Sequence, residues 1–252
     1  MSASMSLRAL ALATVFFLPL GAQAQAPQAP VFNRVATIEA VRMLPEGRDR
    51  SGKSIAEIVA ASADGNTLVY VDGDQRGLGF VDITDPARPR PAGFVPLAGD
   101  PTSVTVSGGR AYAVADTSPD KVNPSGILVV VDMATRRIEA TCQLGGQPDS
   151  TTASRDGRFL AVVIENERNE QLNRGAMPQL PGGNLTIIPL TPAGADCAAM
   201  RAVDLTGLAG VAPTDPEPEF VDINSRNEAV VTLQENNHLA IIDLATGRVT
   251  AH

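Results

Sequence analysis

Glu217-Pro218-Glu219-Phe220-Val221-Asp222-Ile223 opens the stretch that decides the fold. A turn at Asn224 to Asn227 leads to Ala229-Val230-Val231-Thr232-Leu233. A polar turn, Gln234-Glu235-Asn236-Asn237-His238, leads to Leu239-Ala240-Ile241-Ile242-Asp243-Leu244, which Ala245-Thr246-Gly247 closes. Short runs of β-branched and apolar residues, punctuated by Asn, Asp and Gly, predict a meander of antiparallel strands.

The unit recurs upstream. Asp64-Gly65 precedes Leu68-Val69-Tyr70-Val71 and then Gly79-Phe80-Val81-Asp82-Ile83. Gly108-Gly109 precedes Ala111-Tyr112-Ala113-Val114 and Leu128-Val129-Val130-Val131-Asp132. Asp156-Gly157 precedes Phe159 to Ile164 and, after a long insertion, Leu185-Thr186-Ile187-Ile188; Arg226-Asn227 holds the same place in the last copy. The spacing of roughly 45 to 70 residues approaches that of four-stranded propeller blades. A single blade cannot bury two apolar faces, whereas radial stacking buries both and leaves short edges. The fold expected is therefore an all-β propeller with blades of the YVTN and WD40 plan. About four blades fall at residues 55–99, 101–146, 148–216 and 217–252 of a propeller domain at 34–252.

Arg34 to Ala40 is expected to be a strand outside any complete meander, serving as the outer strand of another blade. It could close the fourth blade into a small ring. The favoured expectation is an incomplete ring, in which Arg248-Val249-Thr250 begins the fourth outer strand and the chain stops within the blade.

Met1 to Ala24 is expected to be a secretory signal, with Arg8 as the positive region, Ala9 to Leu20 as the apolar core and Ala22-Gln23-Ala24 as a small-x-small cleavage site. A linker at 25–33 follows. No second apolar run approaches the ~18 residues of a membrane span, so no transmembrane segment is expected after cleavage. The protein is expected in the periplasm or secreted. The chain contains 22 Gly and 19 Pro, a turn-rich balance suited to many short strands. Its formal net charge of -8 argues against nucleic acid, whose phosphates attract clustered Lys and Arg. An exported compartment permits a disulfide between Cys142 and Cys197, the two cysteines. Outer strands of adjacent blades diverge, which leaves that pairing open.

The loop before each first strand and the loop between the second and third strands open on one face. Glu57, Thr102, Asp149 and Glu219 align just before the first strands. Three of them stand eight residues before Gly65, Gly157 and Asn227, and Thr102 stands seven before Gly109. The second-to-third loops add Asp72, Asp74, Asp116, Glu165, Glu167 and Glu235, with Asn166 and Asn236 as neutral oxygens. Convergent carboxylates repel and either take up protons or hold a cation. Oxygen donors without His or Cys favour Ca²⁺ over a transition metal. The metal candidates are Glu57, Asp149, Glu165, Glu167, Glu219 and Glu235; the plain alternative is a set of solvated loop acids.

Asp215 to Phe220 and Val231 to Ala240 form two distinctive blocks, joined by Ala56 to Ala60, Gly146 to Ser150 and Ile164 to Glu167. In these blocks the chain resembles the choice-of-anchor I family of secreted β-propellers, whose bacterial members include alkaline-phosphatase-like and esterase-like phytase-family proteins. The resemblance implies a propeller, and it implies a chain longer than this one. His238 and His252 give a Ser-His-Asp triad little to build on, and no nucleophile elbow or P-loop is present. Two functions remain. One is an exported scaffold that binds a small molecule or protein at an acidic, Ca²⁺-holding loop face. The other is a Ca²⁺-dependent phosphoesterase, in which Lys121, Arg168 and Arg174 are the candidates for holding phosphate.

Overall fold

The computed structural model describes residues 32–252. The signal at Met1 to Ala24 and most of the linker lie outside the described residues. The unit Val35–His252 contains four antiparallel sheets in chain order. The first is β1 (Ala56–Ala61), β2 (Thr67–Asp72), β3 (Gly77–Asp82) and β4 (Arg90–Pro96). The second is β5 (Asp100–Ser107), β6 (Arg110–Asp116), β7 (Gly126–Asp132) and β8 (Ile138–Gln143). The third is β9 (Pro148–Ala153), β10 (Phe159–Ile164) and β11 (Asn184–Thr191), whose far edge pairs with both β12 (Gly194–Ala195) and β13 (Arg201–Asp204). The fourth is β14 (Pro218–Ile223), β15 (Glu228–Leu233), β16 (His238–Asp243) and β17 (Arg248–Ala251). The architecture is that of β-propeller blades.

The hairpin joining the first two strands of each sheet carries left-handed backbone: at Gly65 (φ 72°), at Gly108 and Gly109 (55° and 77°), at Gly157 (69°) and at Asn227 (61°). Gly takes this conformation without a Cβ penalty, and Asn is among the few other residues that visit it routinely.

Register then sets which side chains face the next sheet. On the first sheet Val69 opposes Phe80 and Val71 opposes Leu78. Their counterparts are Tyr112–Val130 and Val114–Leu128 on the second sheet, and Ala161–Ile187 and Val163–Leu185 on the third. Each set is buried against the following sheet, so three apolar cores lie between successive blades. Fully burying one such Val, Leu or Ile is worth about 1.5–3 kcal/mol. The same positions on the fourth sheet are Val230–Ile241 and Thr232–Leu239. Val230, Leu239 and Ile241 are exposed there, together with Phe220.

Arg34 to Ala40 is not a strand, which corrects the sequence expectation. Residues up to Glu39 run outside any sheet and lead into a single helical turn, α1 (Ala40–Met43). Ile38, Ala40 and Met43 pack on Tyr70, Val81 and Leu68 of the first sheet, so the segment covers that face instead of extending an edge. The turn stops at Leu44, whose backbone is extended, as steric clash with Pro45 requires. A four-bladed ring closed by Arg34–Ala40 is therefore excluded. The outer strand of the fourth sheet is its own β17, paired with β16.

Cys142 on β8 and Cys197 form a disulfide with a Cα–Cα separation of 5.6 Å. Cys197 does not occupy an outer strand. It starts a short 3₁₀ turn between β12 and β13, where the Asp196 carboxylate accepts hydrogen bonds from the amides of Ala198 and Ala199. That excursion carries Cys197 back to the second sheet and bypasses the divergence of the strands themselves. The cysteines are 55 residues apart, and closing a loop of that size in the unfolded chain is worth about 4 kcal/mol. Replacing both with Ala should lower the free energy of urea unfolding by that order, and the midpoint with it, while leaving the far-ultraviolet spectrum of the folded protein unchanged. An unshifted midpoint would show that the bond does not stabilise the fold.

Candidate metal centre

The inner strands β1, β5, β9 and β14 all begin with an irregularity. Pro101 opposes Ala115 but Ser103 opposes Val114, leaving Thr102 as the extra residue. Pro218 opposes Leu233 and Phe220 opposes Thr232, leaving Glu219 extra. Asp149 and Ser150 share one partner between Pro148–Ile164 and Thr151–Val162, and Glu57 with Ile58 do the same on β1. A bulge turns its side chain away from the regular alternation. Pro suits the start of such a strand because it has no N–H to offer the ladder.

In the first, third and fourth sheets the backbone two residues before the bulge is pinned by a side chain from the end of the second strand or the loop after it. Asn166 Oδ1 accepts from the Gln147 amide (2.9 Å) while its Nδ2 donates to the carbonyls of Pro181 and Gly182 (3.2 and 3.3 Å). Asn236 repeats this one sheet on. Its Oδ1 accepts from the Glu217 amide (2.9 Å), and its Nδ2 donates to the carbonyls of Val211, Ala212 and Asp215 (3.1–3.2 Å). In the first sheet Asp72 accepts from the Ile55 amide at 3.0 Å. All three are buried. The sequence reading offered Asn166 and Asn236 as oxygens for a site; their oxygens are instead spent on backbone. Gly146 leaves room for the pin, since a Cβ there would lie 2.7 Å from Asn166 Oδ1 and 2.5 Å from Ile164 Cγ2.

The bulges and pins bring Asp149 of β9, Glu165 just after β10 and Glu219 of β14 together. One carboxylate oxygen from each lies within 4.8 Å of the others. Burial, reinforced by the Glu219 charge, pushes the Asp149 carboxyl up to about 7. Burial and the charges of Asp149 and Glu219 push Glu165 up to about 8. Beside them a cavity of about 210 Å³ is lined by Glu167, Arg168, Glu217 and Glu235 as well as Glu165 and Glu219.

Other candidates stand apart. Glu57 is exposed on the first sheet, beside Asp74, Arg76 and Asp100, and does not join the cluster. Its offset in the repeat gives it the same height as Asp149, but a whole sheet separates β1 from β9. Thr102 donates its hydroxyl to the Pro148 carbonyl (3.0 Å). Glu167 is ion-paired with Lys121, and Glu235 faces the cavity outside the triad.

Arg168, read from sequence as a phosphate holder, is already engaged. Its Nε contacts Asp215 Oδ2 at 2.9 Å and its Nη1 contacts Glu217 Oε2 at 2.8 Å, with both carboxylates nearly fully buried. The sequence reading gave Asp215 and Glu217 no place among the site candidates. Their acidity next to Pro216 and Pro218 was the one available sign of a buried role.

A carboxylate whose folded pKa is raised binds more protons folded than unfolded, so stability falls as pH climbs from the unfolded value to the folded one. Metal-free protein should lose stability between about pH 4 and about pH 8 through Asp149 and Glu165. Asp149→Asn should reduce that slope. Urea unfolding in chelator across this range tests it, and a flat profile would contradict the clustered geometry.

A profile of the choice-of-anchor I domain matches residues 57–251. No curated protein matches the chain. Among solved structures, the periplasmic gluconolactonase PpgL of Pseudomonas aeruginosa is 19% identical, with a TM-score of 0.52 over 86% of this chain and 56% of that one. A putative 6-phosphogluconolactonase from Bacteroides uniformis is 15% identical, with a TM-score of 0.54 over 82% and 55%. Virginiamycin B lyase from Staphylococcus aureus is 14% identical, with a TM-score of 0.52 over 77% and 54%. The chain thus spans little more than half the length of these proteins, and at such identities the likeness is one of fold alone. With the domain profile covering nearly all of the four sheets, the chain belongs to the choice-of-anchor I domain family.

Proposed function

We propose that this chain is an exported binding propeller whose acidic mouth holds a divalent cation, with Ca²⁺ as the best fit. The observation that carries the reading is the meeting of Asp149, Glu165 and Glu219 from two different sheets. Ca²⁺ takes oxygens at about 2.3–2.6 Å, so two of its ligands can stand up to about 5 Å apart. The 4.8 Å spread of the three carboxylates lies within that limit. Mg²⁺, at about 2.0–2.1 Å, would require the carboxylates to close in, and Zn²⁺ or Cu²⁺ would prefer nitrogen or sulfur. The cation would also offset the burial and mutual repulsion that raise the proton affinity of Asp149 and Glu165.

Export is supported by the leader read in the sequence and by the Cys142–Cys197 bond, which an oxidising compartment favours. Among the described residues no helix is long and apolar enough to cross a membrane. The partner at the mouth is a small molecule or a protein segment, and the acidic balance disfavours nucleic acid.

A Ca²⁺-dependent phosphoesterase is the second reading, and the pairing of cations weighs against it. Arg168 is committed to Asp215 and Glu217, Lys121 pairs with Glu167 at the surface, and Arg174 stands exposed on the loop. A phosphate at the mouth would meet carboxylates first.

Ca²⁺ at 100 times its dissociation constant should stabilise the fold by roughly 2.7 kcal/mol. The melting temperature should rise with Ca²⁺ and fall back with chelator, and Asp149→Asn with Glu219→Gln should abolish the response. A melting temperature indifferent to Ca²⁺ would end the cation reading. Hydrolysis of p-nitrophenyl phosphate should stay at background with and without Ca²⁺; Ca²⁺-dependent turnover lost in the same variant would favour the enzyme instead.

A further inference from the structure

Glu165 and Glu219 belong to different sheets, so their separation depends on what ties the third sheet to the fourth at the mouth. Arg168 lies three residues after Glu165, and Glu217 lies two residues before Glu219. The Arg168 amide donates to Glu217 Oε1 (2.6 Å), and its guanidinium contacts Glu217 Oε2 (2.8 Å) and Asp215 Oδ2 (2.9 Å). Its Nη2 also donates to the Asp215 carbonyl (2.9 Å). Arg168 is 13% exposed, and Asp215 and Glu217 are 2% and 3% exposed. The rest of the loop hangs from the same anchor. The Gln179 amide donates to Asp215 Oδ2 (2.9 Å), and Gln179 Oε1 accepts from the Asn169 amide (2.8 Å).

We infer that Arg168 is the positioning residue of the mouth, locking the 165–183 loop onto the residues that lead into β14 and thereby fixing Glu165 against Glu219. This rests on the reading that the mouth holds a cation. The planar guanidinium reaches two carboxylates and a carbonyl at once, which an ammonium on a flexible stem cannot reproduce. Without it, two carboxylates are left buried and uncompensated, and the loop must lift to hydrate them.

Charge and position predict opposite signs. Arg168→Met makes the mouth more negative, so an electrostatic effect alone would strengthen Ca²⁺ binding. The lock predicts weaker binding. In the full chain, Arg168→Met should be cleaved within residues 169–180 at least tenfold faster by a nonspecific protease and should bind Ca²⁺ at least tenfold more weakly by calorimetry. Arg168→Lys should recover part of both. Arg168→Met with Glu217→Gln leaves the net charge unchanged and removes one buried carboxylate, so it serves where the single variant does not fold; it should show the same two losses. Unchanged protease protection, or a freed loop with wild-type Ca²⁺ affinity, would overturn the lock. If the wild type binds no Ca²⁺, the cation reading falls by itself, and the cleavage rates alone decide whether Arg168 holds the loop.

Discussion

Face-to-face packing of apolar sheets is the constraint on which the rest of this structure depends. Strands of about six residues alternate their side chains, yet here both faces are apolar: Leu160, Val162 and Ile164 look one way along β10, and Ala161 and Val163 look the other. Such a sheet has no stable solution alone, because it must be covered on both sides. Successive sheets supply that cover, and the α1 segment supplies it for the first. The far face of the fourth sheet stays exposed at Val230, Leu239 and Ile241. Because the sheets stack on one another in the same sense, every inner strand starts on the same side. Residues remote in sequence, such as Asp149 and Glu219, then meet across a few ångströms.

The chemistry of the mouth divides along hydrogen-bonding capacity. A neutral amide both donates and accepts, so Asn166 and Asn236 can hold a backbone amide with one end and several carbonyls with the other. A carboxylate accepts only, and could not bind those carbonyls while ionised. Acids at the mouth consequently either share a buried guanidinium, as Asp215 and Glu217 do, or stand against one another with raised proton affinity, as Asp149 and Glu165 do. A fork of five donors suits the first arrangement, and a hard cation suits the second. The two arrangements adjoin, because Glu217 lines the cavity that Glu165 and Glu219 also line.

Much of this was legible in the residues themselves. The turn positions Gly65, Gly109, Gly157 and Asn227, found by superposing copies of one unit, all take left-handed backbone. The offset from those turns placed Asp149 and Glu219 at one height, and the second-to-third loop placed Glu165 there with them. The same offset misled at Glu57. A repeat specifies height along the stack, but the distance between two equivalent residues depends on how many sheets lie between them. Arg34 to Ala40 misled differently: its apolar residues mark a buried face without saying whether that face lies on a sheet edge or on top of a sheet.

The sequence by itself determined the repeating four-stranded unit, its turns, the alternation that buries both faces, and the height of each acid within its unit, because these follow from local backbone preference and side-chain period. Tertiary structure alone decided which acids touch, that Asn166 and Asn236 serve the backbone, that Arg168 is consumed by Asp215 and Glu217, and that Cys197 reaches Cys142 from a turn. Those outcomes depend on contacts between residues about 16 to 70 positions apart. Local propensity carries no information about such contacts; the packing of one sheet on the next creates them.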